Sequence, residues 1–314
     1  RYIMLEAVEM IFSILGWILG VLFLFKIAEE LVGERSALIA ALFYTISPIS
    51  VLVSRSFQPD QWMLTFSLGS LYCFIRYESR KNLRLFILSA FLASISALLK
   101  MPSLIFTVFP IILFILFFRE NKKIVYSFIY LSISIALPAS WYIYAFVINK
   151  QGLSTEGAFS LLNWFNLNLF LKYKYYANVF GDEYTLVILP IGFILFTTGL
   201  FIKYYMLQRF LFFWLFSVVL YFLAFNNPVM VHEYYHLPFL PIASIFIGIG
   251  FTVIVRIFKK TALMVTVVLL ILILLNCLPP IFLKTYKPIG RFKLVPLVGE
   301  RIQQLTNRND LIIG

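Results

Sequence analysis

The chain has 314 residues, of which 62% are apolar and 13% are charged, and its formal net charge is +12. Soluble globular domains are usually about 45–50% apolar and about 25% charged. A water-soluble fold of this size cannot bury so much apolar surface, because surface-to-volume scaling limits its core. The composition excludes a soluble enzyme, a disordered tail, a coiled coil and a secreted disulfide scaffold. It predicts a polytopic membrane protein.

Apolar runs separated by charged or polar residues follow one another along the chain. Because backbone amides in lipid need internal partners, each run is predicted to be a transmembrane helix. The runs lack the alternation of apolar and polar residues that is typical of an outer-membrane barrel strand. We therefore expect an all-α fold with about ten transmembrane helices, at 11–31, 36–53, 61–77, 84–99, 103–118, 124–148, 185–202, 210–225, 237–257 and 261–282.

Lys and Arg are distributed unequally between the two sets of loops that connect these runs. One set contains 14 of them and the other, although longer, contains five. The positive-inside rule places the cation-rich set in the cytoplasm. We predict a multi-pass plasma-membrane protein whose basic charge reflects topology, so no nucleic-acid partner is needed. The cytoplasmic cations are Lys26, Arg35, Arg76, Arg80, Lys81, Arg84, Arg119, Lys122, Lys123, Lys203, Arg209, Arg256, Lys259 and Lys260.

The distinctive polar segments all emerge on the opposite, extracytoplasmic side. They are 54–60, 100–102, the long loop 149–184, and 232–236. In the long loop, aromatic and apolar residues recur at helical spacing between Phe159 and Tyr173, which is typical of a helix lying in the membrane interface. Its aromatic residues either form an interfacial belt or belong to a lid that guides substrate.

The composition changes after the last apolar run. Residues 283–314 are mixed and basic, and a short helical stretch at 295–302 precedes the apolar segment 311–313. A helix followed by an apolar strand is how an α/β domain begins. We expect a transmembrane domain at 1–282 and the start of a truncated extracytoplasmic domain at 283–314.

Three charged residues on the predicted outer side are candidates for chemistry. Asp60 follows Pro59 at the start of the third run. It either caps the helix or serves as an acid, base or metal-binding carboxylate, since carboxylates near the membrane usually face a cavity or partner. Arg55 is a candidate contact for a phosphate. Lys100, between two runs, either extends to the interface or binds a phosphate oxygen as a point charge.

Residues 232–236 read His-Glu-x-x-His. On a helix, His232 and His236 would share a face and could hold zinc, with Glu233 as the general base of a membrane metalloprotease. Pro238 and Pro241 compromise that helix, and the sequence offers no evident third ligand. The alternative is a pair of histidines that contacts a substrate phosphate or supports the structure.

Five short segments follow one another along the chain: 33–41, Ser47-Pro48 with Ser54-Arg55 and Asp60, Leu98-Leu99-Lys100-Met101-Pro102, Pro138-Ala139-Ser140-Trp141-Tyr142, and 232–241. In this order they resemble the polyprenyl-phosphate-sugar-dependent class C glycosyltransferases. This family includes the dolichyl-phosphate-mannose protein mannosyltransferases and the bacterial aminoarabinose transferase of lipid A. The resemblance runs from about residue 11 to residue 314, with Leu99 and Met101 where the family usually has Thr and Gly.

The resemblance implies a membrane enzyme that transfers a sugar from a polyprenyl-phosphate donor to a hydroxyl acceptor on lipid, glycan or protein. Transfer occurs at the outer leaflet, and the lipid phosphate leaves. Asp60 is the implied acidic residue, as a metal or acceptor contact or as a support. A divalent metal is one alternative, with Asp60 and His232 as candidate ligands. The residues implied to bind the donor phosphate are Arg55, Lys100, His232, Tyr235 and His236.

The family places its principal catalytic acid in an outer loop between its first and second spans. We expect this chain to begin just before the second span, where Glu6 and Glu9 are the only acids. The principal base is therefore expected in a preceding loop, without which the chain is inactive. A transporter of lipid-linked glycans is a third alternative, but it predicts charges near mid-span and discontinuous helices.

Overall fold

The computed structural model describes residues 2–56, 58–119, 121–149, 164–202, 207–286, 301 and 304–305. Within these ranges the chain is helical and has no β-strand, as the composition predicts. The helices are α1 (Tyr2–Val32), α2 (Glu34–Ile46), α3 (Pro48–Ser54), α4 (Asp60–Arg80), α5 (Leu83–Leu99), α6 (Ser103–Phe118), α7 (Lys123–Asn149), α8 (Tyr173–Asp182), α9 (Leu189–Leu200), α10 (Phe210–Ala224), α11 (Asn226–Val231), α12 (Phe239–Ile257) and α13 (Ala262–Pro280).

The predicted all-α membrane fold is confirmed, and its number of spans is approximate. Five described helical segments are long and apolar enough to cross a membrane, and seven are if each of two bent pairs counts as one span. Helices α5 and α6 are apolar but shorter. Each of the ten predicted runs coincides with a helix or a bent pair. The predicted runs therefore coincide with helices, but only some of these helices are long and apolar enough to count as membrane spans.

Two predicted spans are broken near a proline. The helix axis bends by 60° between α2 and α3 and by 95° before α9. At the first break Ser47 has an extended backbone and precedes Pro48, because the residue before a proline is disfavoured in the helical region. The Ser47 hydroxyl donates to the carbonyls of Leu186 and Val187, both at 3.1 Å. The two breaks therefore meet.

Hydroxyl groups join the helices around α4. Ser67 lies within 2.8 Å of Ser96 on α5 and within 2.6 Å of Thr107 on α6. The Tyr130 hydroxyl of α7 is within 3.0 Å of Ser70 and 2.8 Å of Ser89. Interhelical hydrogen bonds of this kind contribute on average about 0.6 kcal/mol each in a membrane protein. They account for both serines of the third predicted run, Ser67 and Ser70.

Helix α12 lies close against α9. A methyl group added at Gly250 would overlap the backbone carbonyl of Leu195, and one added at Gly199 would overlap that of Phe246. Small residues at such crossings allow backbones to approach closely in membranes. The crossing therefore requires these glycines.

Gly250→Ala is expected to destabilise the protein by about 3 kcal/mol, because overpacking against a backbone forces the helices apart. Thermal unfolding of the detergent-purified chain measures this. Gly181→Ala is the matched control, since nothing lies within 4 Å of a methyl group added there. Equal unfolding temperatures for the two variants would contradict the close approach.

The two ends of the helix bundle differ in charge, as the loops predict. At one end Lys26 pairs with Glu29 at 2.7 Å, and Arg76 pairs with Glu30. The opposite end holds the start of α4 and the end of α5, which an ion pair between Asp60 and Lys100 joins. We refer to these as the basic end and, after the topology that the loop charges predict, the outer end.

The long loop departs from its predicted helix. In its described part, 167–171 forms a 3₁₀ helix, and α8 begins only at Tyr173, where the predicted pattern ends. Residues 159–163 and most of 283–314 lie outside the described ranges, so the expected extracytoplasmic domain stays a prediction.

Candidate functional site

Asp60 and Lys100 form an ion pair at the outer end. Asp60 is the first residue of α4 and is 3% exposed. Lys100 follows the last turn of α5, where its extended backbone directs the chain towards α6. The Lys100 ammonium donates to Asp60 Oδ1 at 2.7 Å. The Asp60 carboxylate therefore has a charged partner on the neighbouring helix.

Two tyrosine rings cover the same ammonium. Lys100 Nζ lies 4.6 Å from the ring centroid of Tyr234 and 4.7 Å from that of Tyr235. The exposed His232 ring stacks on them, with centroids 5.2 Å and 6.0 Å away. The Tyr221 hydroxyl donates to the Tyr235 carbonyl at 3.2 Å and so helps to fix this segment. Lys100 is thus held between a carboxylate and an aromatic wall.

Burial raises the pKa of Tyr235 to about 12. The phenol therefore stays protonated near neutral pH and can donate a hydrogen bond to an anion. An ionised phenolate, in contrast, would repel an anion. The arrangement suits a positively charged site with neutral walls.

Several buried polar atoms near the pair have no hydrogen-bond partner within the described part of the chain. They are Asp60 Oδ2, Gln58 Oε1 and Ser103 Oγ. Leaving such a group unsatisfied costs about 1–3 kcal/mol, so each calls for a water molecule or a ligand. The Ser103 amide donates to the Lys100 carbonyl at 3.0 Å, which places Ser103 beside the pair. The outer end therefore offers unused acceptors next to a cation.

Arg55 follows the last residue of α3 and is exposed, and α3 packs against the turn at 233–236. His236, in contrast, lies in different surroundings from the pair. The His236 ring is fully buried, with Nδ1 2.7 Å from Glu183 Oε1 and Nε2 3.0 Å from the Val229 carbonyl. The structure thus brings Asp60, Lys100, His232 and Tyr235 together and places His236 in a separate cluster.

The His-Glu-x-x-His segment does not form the helix that a zinc site needs. His232 has an extended backbone and 233–236 is a 3₁₀ turn, so the two histidines do not share an α-helical face. Both ring nitrogens of His236 already contact protein groups. Across the described residues, no group of three His, Cys, Asp or Glu side chains could hold a metal ion. The geometry therefore disfavours the metalloprotease alternative.

Sequence reasoning did not identify Glu183, Tyr234 or the buried polar atoms as site residues. Glu183 carries one signal, since it is an acid two residues before a predicted span. Tyr234 adjoins the predicted Tyr235, and only the 3₁₀ turn brings both rings to Lys100. Gln58 and Ser103 flank Asp60 and Lys100 in the sequence, but nothing in the pattern marks them.

A cavity of about 550 Å³ is lined by sequence neighbours of the pair. Gln58, Pro59 and Trp62 come from the segment that carries Asp60, and Leu99 precedes Lys100. Phe12 and Phe66 complete a wall that is mostly apolar. Neither Asp60 nor Lys100 is among the lining residues, so the cavity offers an apolar surface close to the pair in sequence.

Residues 5–144 match the family model described as dolichyl-phosphate-mannose-protein mannosyltransferase. The family resemblance predicted from the motifs is confirmed. The part matched to this mannosyltransferase family includes Asp60 and Lys100 but not the segment 232–241. The structure of ArnT from Cupriavidus metallidurans in the apo state matches with a TM-score of 0.55 at 12% identity. The match covers 80% of this chain and 47% of ArnT, so the chain spans about half of ArnT and shares its fold. No curated protein matches the chain.

Proposed function

We propose that this chain is a membrane glycosyltransferase that uses a polyprenyl-phosphate-linked sugar and transfers the sugar to a hydroxyl acceptor at the outer leaflet. The observation that carries the proposal is the Lys100 ammonium, held between Asp60 and two tyrosine rings at the outer end. The match of residues 5–144 to the mannosyltransferase family supports it. The acceptor is proposed only by class, as a hydroxyl on lipid, glycan or protein.

Lys100 is proposed to bind the phosphate of the donor. The acceptor oxygen forms a bond to the anomeric carbon while the bond between that carbon and the phosphate oxygen breaks. The phosphate leaves with the electron pair and gains negative charge, which a preorganised cation stabilises more strongly than it stabilises the bound donor. Asp60 uses one oxygen for Lys100, so the ammonium keeps two donors for phosphate oxygens. The side chain of Lys100 is 20% exposed, which leaves it accessible.

Asp60 has a supporting role in this proposal. Its Oδ1 positions the ammonium, and its unpartnered Oδ2 is proposed to accept a hydrogen bond from a hydroxyl of the sugar or acceptor. A general base must still take the proton of the acceptor hydroxyl. We propose that a carboxylate other than Asp60 serves as this base, because Asp60 is committed to Lys100.

Three of the other predicted residues, Tyr235, His232 and Arg55, are proposed to surround the phosphate. Tyr235 is proposed to donate its phenol proton to a phosphate oxygen, and His232 to cover the outer side of the rings. Arg55 is proposed to approach from the end of α3. The prenyl chain is proposed to lie in the cavity beside Leu99 and Trp62. A divalent metal with Asp60 and His232 as ligands stays a prediction, and no step above depends on one.

Replacing Tyr234 and Tyr235 together by Leu is expected to raise the KM for the donor about tenfold, since cation–π contacts contribute roughly 0.5–2 kcal/mol each. The measurement is release of polyprenyl phosphate from a panel of polyprenyl-phosphate sugars by the purified chain in lipid. Tyr173→Leu is the control, because that ring is on the outer loop and 85% exposed. The proposal fails if the wild type releases no polyprenyl phosphate from any donor in the presence of acceptor lipids.

A further inference from the structure

A second cavity lies at the basic end, opposite the proposed donor site. It has a volume of about 540 Å³ and lies between α2, α12 and α13. Its rim carries Arg35, Arg256 and Lys259, and its wall includes Leu38, Phe251 and Val255. The cavity therefore combines three cations with an apolar surface.

The helices that carry the rim are fixed to each other. Ser36 is next to Arg35, and Thr252 is one helical turn before Arg256. Their hydroxyl oxygens lie 2.9 Å apart. A methyl group at Gly248 would overlap the Ser36 carbonyl, so α2 and α12 are in backbone contact there. Arg35 and Arg256 thus extend from a rigid crossing, and the 3₁₀ turn Lys259–Thr261 adds the third cation.

The three rim cations have no carboxylate partner among the residues the structure describes, although other cations at this end do. Lys26, Arg76 and Lys81 each pair with a glutamate, whereas Arg35, Arg256 and Lys259 form no ion pair with any described residue. Glu34 lines an adjoining cavity of about 440 Å³ together with both rim arginines. Three cations beside one acid leave a net positive site.

We propose that this cavity binds the phosphate headgroup of an anionic glycerophospholipid from the leaflet at the basic end. The phosphate contacts the rim cations, and an acyl chain lies along Leu38, Phe251 and Val255. The apolar wall favours a lipid over a free phosphate ester, because a soluble anion gains nothing from it. Cations that only determine the orientation of a protein in the membrane are needed in the loops, and they do not require a cavity between the helices. This site is independent of the proposed transferase chemistry.

The test measures thermal stabilisation of the purified 314-residue chain by added phosphatidylglycerol, with phosphatidylcholine as the neutral lipid and glycerol 3-phosphate as the soluble anion. The rim variant is Arg35→Gln/Arg256→Gln/Lys259→Gln. The matched control, Arg80→Gln/Arg84→Gln/Lys123→Gln, removes the same charge from exposed positions at the same end that do not line the cavity. A second variant, Leu38→Trp, fills the cavity and keeps its cations.

Wild type and control are expected to be stabilised by phosphatidylglycerol and not by the other two additives. The rim variant should need at least about tenfold more phosphatidylglycerol, given the usual attraction of cations for anionic lipid. Leu38→Trp should lose the stabilisation without a change in charge. An equal loss in the control, undiminished stabilisation in Leu38→Trp, or equal stabilisation by glycerol 3-phosphate would overturn the lipid site.

Discussion

Lys100→Met is expected to lower sugar transfer by at least about 100-fold, the usual effect of removing one preorganised donor from a site of developing charge. The reason is that the departing phosphate would lose its cation while the aromatic wall keeps its shape. Met preserves the length of the side chain, so packing between Asp60 and Tyr235 changes little. The measurement is kcat for sugar transfer at saturating donor, together with KM. Full activity in this variant would refute the role of Lys100.

The same substitution leaves Asp60 buried without its ion pair, which makes stability a necessary second readout. Removing one partner of a buried pair usually costs about 3–5 kcal/mol, and the partial exposure of Lys100 lowers the expected cost here. Asp60→Asn/Lys100→Met should recover the stability, because no charge is left unpaired, but not the activity. Lys172→Met, an exposed lysine of the outer loop, should change neither. Recovery of transfer in the double variant would show that Lys100 acts only through folding.

His236→Gln is expected to destabilise the protein by about 3–5 kcal/mol, because it removes the partner of a fully buried carboxylate. Glu183 lies in the π turn between α8 and α9, and its Oε1 is 2.7 Å from the His236 ring. Asp182 Oδ2 lies 3.7 Å from the other ring nitrogen. Thermal unfolding in detergent measures the loss.

His232→Gln is the control for this stability prediction, since the ring is exposed and such substitutions usually change stability by less than about 0.5 kcal/mol. The double variant Glu183→Leu/His236→Leu should regain most of the stability, as apolar replacements of buried pairs often do. Equal unfolding temperatures for His236→Gln and wild type would mean that the Glu183–His236 pair does not contribute to the stability of the fold.

The stability that the Glu183–His236 pair contributes is expected to decrease as the pH rises. Burial lowers the pKa of His236, but the hydrogen bond and the charge of Glu183 outweigh burial and leave that pKa above its ordinary value. A group with a raised pKa stabilises the folded state fully below its unfolded pKa, about 6.5 for histidine. That contribution is lost as the pH rises through the raised pKa. The wild-type unfolding temperature should fall across this window, and that of His236→Gln should not.

Hydropathy predicts the helices because a segment in lipid needs apolar side chains and a backbone whose hydrogen bonds are made within the segment itself. Asp60 and Lys100 were recognisable as charges at the ends of predicted runs on one side of the membrane. Their pairing depends on how α4 packs against α5, which no local pattern encodes. His236 was misleading for a related reason, since its spacing from His232 suggested an α-helix. Pro238 was the sequence signal against that helix.

Hydropathy also does not predict the breaks in the two bent spans. The run 36–53 stays apolar through Ser47, and 185–202 stays apolar through Ile188. Only the following prolines, Pro48 and Pro190, signal an interruption. The bend angle of each helix depends on which hydrogen-bond partners the freed backbone groups meet on neighbouring helices. Those partners are set by tertiary packing.

The meeting of those two breaks has a mechanical consequence. The Ser47 hydroxyl donates to two carbonyls of the other broken span, so straightening either span would break these hydrogen bonds. The two bends are therefore coupled through Ser47. Helix α3, which ends next to Arg55, packs against both the π turn at Glu183 and the turn that carries Tyr235. A tilt of α9 would therefore be transmitted through α3 to the Tyr235 ring, which covers Lys100.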